Sequence, residues 1–132
     1  MTFIKINETL YPATISGRVA DNEWDNRESK AITLEMDYAT AITLFVDGLA
    51  WSIVQQREVP VFERDENGEF VLDEDGNRIQ TGTEMQETEF DNSEYDVAGS
   101  ITDNRNGTIT AKMGKKTDSE MLAELLEVLN ND

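Results

Sequence analysis

Carboxylates are the residues of this chain with the numbers and the spacing to do chemistry. Asp65-Glu66-Asn67-Gly68 and Asp73-Glu74-Asp75-Gly76 set the same Asp-Glu-x-Gly unit twice, eight residues apart. Such a pattern suits three tasks: ligating a hard cation, acid–base work by a carboxyl pair, or attracting a basic partner. Counted as an EF-hand loop from Asp73, the chain puts Asp75 and Asn77 at positions 3 and 5 and Glu84 at position 12. Position 6, where the sharp turn needs glycine, is Arg78. No helical pattern flanks the loop, so two acidic turns are expected and no bound metal. Carboxyl pairs for glycoside-type hydrolysis are too numerous for any one to be singled out.

Other chemistries are short of parts. There is no cysteine and no histidine, which removes disulfides, thiolate zinc sites, the Ser-His-Asp relay and the usual neutral-pH general base. Gly114-Lys115-Lys116-Thr117 has the look of a Walker A ending, but Ile109 stands at the first glycine and Lys116 where a hydroxyl would bind magnesium. The expectation is a non-enzymatic protein with no cofactor.

The acids are concentrated. Between Glu63 and Asp96 thirteen carboxylates face two bases, Arg64 and Arg78, in a chain of 132 residues with net charge −17. That charge repels nucleic-acid backbones and anionic membranes and favours a protein partner of basic character. The partner-binding residues expected on this basis are Asp65, Glu66, Glu69, Asp73, Glu74 and Asp75. Trp24, in the polar stretch "ADNEWDNRES", is added as an aromatic residue placed for exposure. The bland reading of the same run is a solvated face that keeps the protein soluble.

The elements that must position these residues follow from periodicity. "TFIKINETLYPATISGRV" alternates about Asn7-Glu8-Thr9, which reads as a hairpin with a three-residue loop setting Ile6 opposite Leu10, and Pro12 implies an edge or a break. "KAITLEM" reads as a strand with Ile32, Leu34 and Met36 on one face. Asp37 caps a short helix over about residues 37 to 47, with Tyr38, Ala41, Ile42 and Phe45 at helical spacing and Gly48 at its C-terminal end. "LAWSIVQQ" is a strand. The acidic run, with short β-prone pieces "VPVFE", "EFVL" and "RIQT" between the two turns, reads as a projecting β-arm at about residues 60 to 94, with too few apolar residues for a core of its own.

In "YDVAGSITDNRNGTITAKM", Ile101 shares a face with Ile109 and Ala111 only if the loop has an odd count. Arg105-Asn106-Gly107 as a three-residue turn with Gly107 left-handed meets that condition. Thr117 and Glu120 form a capping box before an amphipathic helix over about residues 118 to 129, carrying Met121, Leu122, Leu125, Val128 and Leu129. The sum is one α+β domain over residues 1–132, mainly antiparallel sheet built from β-hairpins, with one central short helix and one C-terminal amphipathic helix. Met1 to Leu10 holds one Lys and no continuous apolar run, and no stretch approaches a membrane span, so a soluble protein made in the cytoplasm is expected.

The set "INETLYPATISGR", "WDNRESKAITLEM", "AITLFVDG", "WSIVQQ" and "DNSEYDVAGSITDNRNGTITAKMGK" resembles small prophage-encoded proteins of gut Firmicutes, across most of the chain. The resemblance carries no catalytic motif. It implies a phage setting, where a small acidic β-rich protein is a virion part such as a tail or baseplate component. Phages also encode small acidic inhibitors of host defence, including anti-CRISPR proteins. Two functions are therefore expected as alternatives: virion assembly through protein contacts, with a homo-oligomer, or an acidic mimic of nucleic acid that occupies the basic groove of a defence nuclease. The first places the protein in the host cytoplasm when made and then in the virion.

Overall fold

Asn7 and Glu8 both take left-handed backbone angles, with φ of 51° and 66°. Two consecutive residues of that hand make the tight turn that matches the twist of paired strands. The first hairpin therefore has a two-residue turn, with Ile6 opposite Thr9 and Lys5 opposite Leu10, and not the three-residue loop that alternation suggested. It joins β1 (Thr2–Ile6) to β2 (Thr9–Asp21).

The computed structural model describes residues 1–130. After β2 come β3 (Arg27–Glu35), α1 (Tyr38–Leu44), β4 (Ser52–Phe62), β5 (Gln80–Asp91), β6 (Val97–Asp103), β7 (Thr108–Gly114) and α2 (Asp118–Asn130). The strands form one antiparallel sheet in the order β5-β4-β1-β2-β3-β7-β6. Together with the two helices this is the expected α+β fold.

β2 changes partner part-way along. Thr9 to Pro12 pair with β1, and Ala13 to Asp21 pair with β3. Counted from the Ile6–Thr9 pair beside the turn, Pro12 falls in a non-hydrogen-bonded pair with Phe3, so its missing N–H lies on the side where β3 has not yet begun to pair. Pro12 thus sits inside a long strand, neither at an edge of the sheet nor at a break, because its nitrogen falls in the gap between partners.

Register puts Ile4, Ile6, Ile32, Leu34, Ile109, Ala111 and Met113 on one face. These residues are buried, together with Ala41 of α1, Phe45 at its C-cap, Trp51 and Tyr95, as a single core. The Trp51 indole N–H donates to the Tyr95 carbonyl at 3.0 Å, which satisfies the one polar atom of the largest core side chain. Asp37 caps α1 as its sequence predicts, accepting from the Thr40 N–H at 3.2 Å. The helix stops at Leu44, short of residue 47, and Gly48 (φ +84°) donates its N–H to the Asp96 carbonyl instead of closing the helix. Ala41 and Phe45 face the core, while Tyr38 and Ile42 are exposed.

The β6–β7 hairpin closes as its apolar pattern requires. Ile101 pairs with Ala111, and the Asn104 N–H donates to the Thr108 carbonyl at 3.1 Å, leaving Arg105-Asn106-Gly107 as the loop. Gly107 is left-handed, and so is Arg105.

Candidate protein-interaction surfaces

The acidic arm is a two-stranded ribbon. β4 and β5 pair from Ser52–Asp91 out to Phe62–Gln80, whereas β1 covers β4 only at residues 52–55, so the outer part of the ribbon has no third strand. β5 is exposed along its whole length. Register lines Glu87, Glu89 and Asp91 along one of its faces, with Glu58 on the neighbouring strand of that face.

Beyond the strands, residues 63–79 fold into two small hairpins in series. In the first, the Asp65 carboxylate accepts from the N–H groups of Asn67 (2.9 Å) and Glu69 (3.0 Å), and the Gly68 N–H donates to the Asp65 carbonyl. In the second, Asp73 accepts from Asp75 and Asn77, both at 2.9 Å, and Gly76 donates to the Asp73 carbonyl. Gly68 and Gly76 stand at φ of +80° and +81°, a hand that a side chain at either position would oppose. The repeat in the sequence is therefore a repeat of one turn, each nucleated by its own Asp. "EFVL" contributes bridges at Arg64–Phe70 and Leu72–Arg78 and no strand.

The tip has an organising centre that composition did not suggest. Phe70 lies between two guanidinium groups, Arg64 at 4.1 Å and Arg78 at 3.8 Å from its ring centroid, and meets the edge of Phe62 at 6.0 Å. The only two bases of the acidic run are stacked on the one ring between the turns. Each such contact contributes about 0.5–1 kcal/mol at an exposed site, enough to order a segment with few apolar residues.

Of the expected partner-binding residues, Asp65, Glu66, Glu69, Asp73, Glu74 and Asp75 are brought together on this tip and are all exposed. Asp65 and Asp73 hold the turns, while Glu66, Glu74 and Asp75 stand at the turn apices. Among the described residues no three carboxylates converge as a cation site.

Trp24 lies elsewhere. Its ring covers Gly99 of β6 and Gly114 of β7, at the opposite side of the sheet from β5. A Cβ at Gly99 would fall 2.7 Å from the indole, and one at Gly114 would fall 2.8 Å from it. Arg27 stacks on the same ring at 4.5 Å. Trp24 is half-buried as a cover for the β2–β3 turn, not presented as a free platform.

Beneath that turn is a buried polar cluster. The fully buried Asp21 carboxylate accepts from Lys112 Nζ (2.9 Å), Ser29 Oγ (3.1 Å) and the Glu23 N–H (3.1 Å). Its pKa is lowered, first by the Lys112 hydrogen bond, against the opposing effect of burial. Beside it Arg27, almost fully buried, donates to the Lys115 carbonyl at 3.0 Å and to both oxygens of Glu120 at 2.7 and 3.1 Å. Charge that is paired and hydrogen-bonded in this way fixes geometry, and it joins β2, β3, β7 and α2.

α2 is the surface that periodicity alone could not locate. Its capping box forms as expected, Thr117 N–H to Glu120 at 2.8 Å and Glu120 N–H to Thr117 Oγ1 at 3.2 Å. Yet none of its residues is buried. A cleft of about 1000 Å³ opens over Tyr11, Ala13, Ile15, Leu34 and Ile53, and the one carboxylate in its lining is Glu35. Among the described residues no helix is long and apolar enough to cross a membrane. Compared with family models, curated proteins and solved structures, the chain finds no match.

Proposed function

We propose that the protein is a non-enzymatic assembly component of the phage tail or baseplate kind, working through protein contacts made by the β4–β5 ribbon and the sheet edges. The observation that carries this reading is β5, a twelve-residue edge strand exposed throughout and extended by a tip ordered around Phe70. An isolated two-stranded ribbon is marginal in water, and an open edge offers unpaired backbone groups to a neighbouring strand. A tip with its own turns and its own aromatic centre suits docking against another subunit. Its carboxylates select a basic surface on that subunit.

The test is affinity purification from the native host with and without phage induction, followed by identification of bound proteins and of the protein in purified particles. Co-purification with virion proteins after induction supports the reading. A protein that stays absent from particles and brings down none of their components overturns it.

The row Glu58, Glu87, Glu89 and Asp91 favours a second reading, an acidic inhibitor that sits in the basic groove of a defence nuclease. Alternate residues on one face of a strand lie about 6.8 Å apart, which displays carboxylates as a regular anionic track. Such binding weakens steeply with salt. Changing Asp65 and Asp73 to Asn keeps the turns, since Asn accepts the same hydrogen bonds, and changing Glu66, Glu69, Glu74 and Asp75 together with the row Glu58, Glu87, Glu89 and Asp91 to their amides removes the charge that the groove would meet. Nuclease inhibition that survives these changes and high salt would eliminate the decoy.

A further inference from the structure

The first half of α2 is tethered to the body through Glu120 and Glu124, on its charged side, and its apolar side stands in solvent. Glu120 is held by Arg27, and Glu124 by Lys116 at 2.8 Å. Met121, Leu122, Leu125, Leu126, Val128 and Leu129 are each between 49 and 67% exposed. At about 100° per residue these six span an arc of roughly 160°. Glu120, Glu124 and Glu127 occupy the other side. An amphipathic surface helix ordinarily does the reverse, burying its apolar stripe against the core. The inversion here is enforced by Arg27, whose side chain is 4% exposed and grips Glu120 through two hydrogen bonds in the first turn of the helix.

We infer that this face is a self-association surface, and that its occupant is α2 of a second copy of the chain, packed antiparallel across a two-fold axis near Leu125. Area and charge choose that occupant. Six half-exposed apolar side chains present on the order of 500 Å², the upper range of the largest apolar patch on an ordinary monomer. Two such faces together come to roughly 1000 Å², the lower bound for a specific interface.

Two chains of net charge −17 repel one another over most of their surfaces, above all at the ribbons. Along the α2 seam they do not, because Glu120 and Glu124 lie on the far side and are paired with cations of their own chain. Asp118 alone falls within the apolar arc, at its N-terminal end. An antiparallel pairing separates the two Asp118 carboxylates by about 20 Å, the length of the helix, whereas a parallel one would set them face to face. A basic partner would find its carboxylates on the ribbon and, in this seam, only Asp118 at one end. The inference deepens the assembly reading by naming one partner, and rests on that reading only for its biological purpose.

Sedimentation and light scattering of the full chain from micromolar to millimolar concentration read the self-association directly. The expected result is a dimer that Leu125→Glu converts to a monomer with the sheet fold kept, because among the described residues α2 packs against no other element. Glu127→Gln, on the opposite side, leaves the dimer intact. In this cysteine-free chain Leu125→Cys oxidises to a covalent dimer. A chain monomeric at every concentration overturns the inference, and so does a dimer that persists in Leu125→Glu. A monomer that still co-purifies with virion proteins removes the self-association alone, and a dimer absent from particles removes the assembly reading alone.

Discussion

The guanidinium carbon of Arg78 stands 3.8 Å from the centroid of the Phe70 ring, and that of Arg64 stands 4.1 Å from the same point. The relationship explains how an arm with a strong excess of carboxylates keeps a defined shape. Its two cations are withdrawn from the acids around them and placed on a ring, so they serve as flat covers for a small apolar centre. The carboxylates of the tip are thereby left at the surface, where a basic partner would meet them, while at the base of the arm Glu89 is held by Lys5 and Glu94 by Lys115.

Phe70→Ala should therefore loosen the tip without disturbing the sheet. Amide exchange over residues 63–79 is expected to rise by about tenfold or more, for a loss of roughly 1–2 kcal/mol of stacking. The thermal midpoint of the body should hold, since β1 pairs with β4 only at residues 52–55, far from the tip. Unchanged exchange in the tip would mean that the two Asp-nucleated turns hold it by themselves.

What could be read from sequence is what depends on neighbours along the chain. The Asp37 cap, the Thr117–Glu120 capping box and the odd loop count at Arg105-Asn106-Gly107 are local, and each forms as expected. The turn at Asn7-Glu8 escaped because a glutamate at φ 66° carries no compositional signal. β5 escaped because both its faces are wet, which erases the apolar alternation that marks a strand. The α2 case is the most instructive. Periodicity identifies which residues share a face, but the direction that face points is set by Arg27 and Glu120, 93 residues apart. Trp24 was legible as a loop aromatic; that it covers Gly99 and Gly114 depends on a β6–β7 pairing formed much later in the chain.

Gly99→Ala should destabilise the whole domain. The new Cβ would sit 2.7 Å from the Trp24 indole, and the ring is held from its other neighbours by Gly114 and Arg27. Overpacking of this sort costs about 1–3 kcal/mol. Chemical denaturation should show the loss, and Trp24→Leu in the same chain should make Gly99→Ala nearly neutral. Additive costs in that double-mutant cycle would show that the indole does not close over Gly99.

The Arg27–Glu120 anchor makes a pH prediction for α2. The Glu120 carboxyl is lowered to about 2, first by the Arg27 hydrogen bonds and then by the Thr117 N–H. A depressed carboxyl contributes above its ordinary range, and its contribution is lost as pH falls toward the depressed value. α2 should thus stay docked by its first turn at pH 4 and release as the pH nears about 2. Carbon-detected titration of Glu120 should give that midpoint, and amide protection of Met121 and Glu124 should fall with it. In Glu120→Gln the protection should no longer follow this titration. A Glu120 midpoint in the ordinary carboxylate range would place the guanidinium elsewhere.

At the alkaline end the sensor is Tyr95. Burial raises its phenol to about 12, and the hydroxyl's hydrogen bond to Glu28 acts in the same direction by making ionisation release a proton already in use. A phenol whose folded value lies above its unfolded value contributes stability that is complete below about pH 10 and is lost as pH climbs through about 12. The hydroxyl faces the Glu28 carboxylate, so a tyrosinate here would set two negative charges against each other. Near-UV absorbance should show one of the three tyrosines ionising together with unfolding near pH 12. Glu28→Gln, which removes the acceptor's charge and leaves Lys115 beside the ring, should move that transition to lower pH. A transition that stays put would assign the displacement to burial alone.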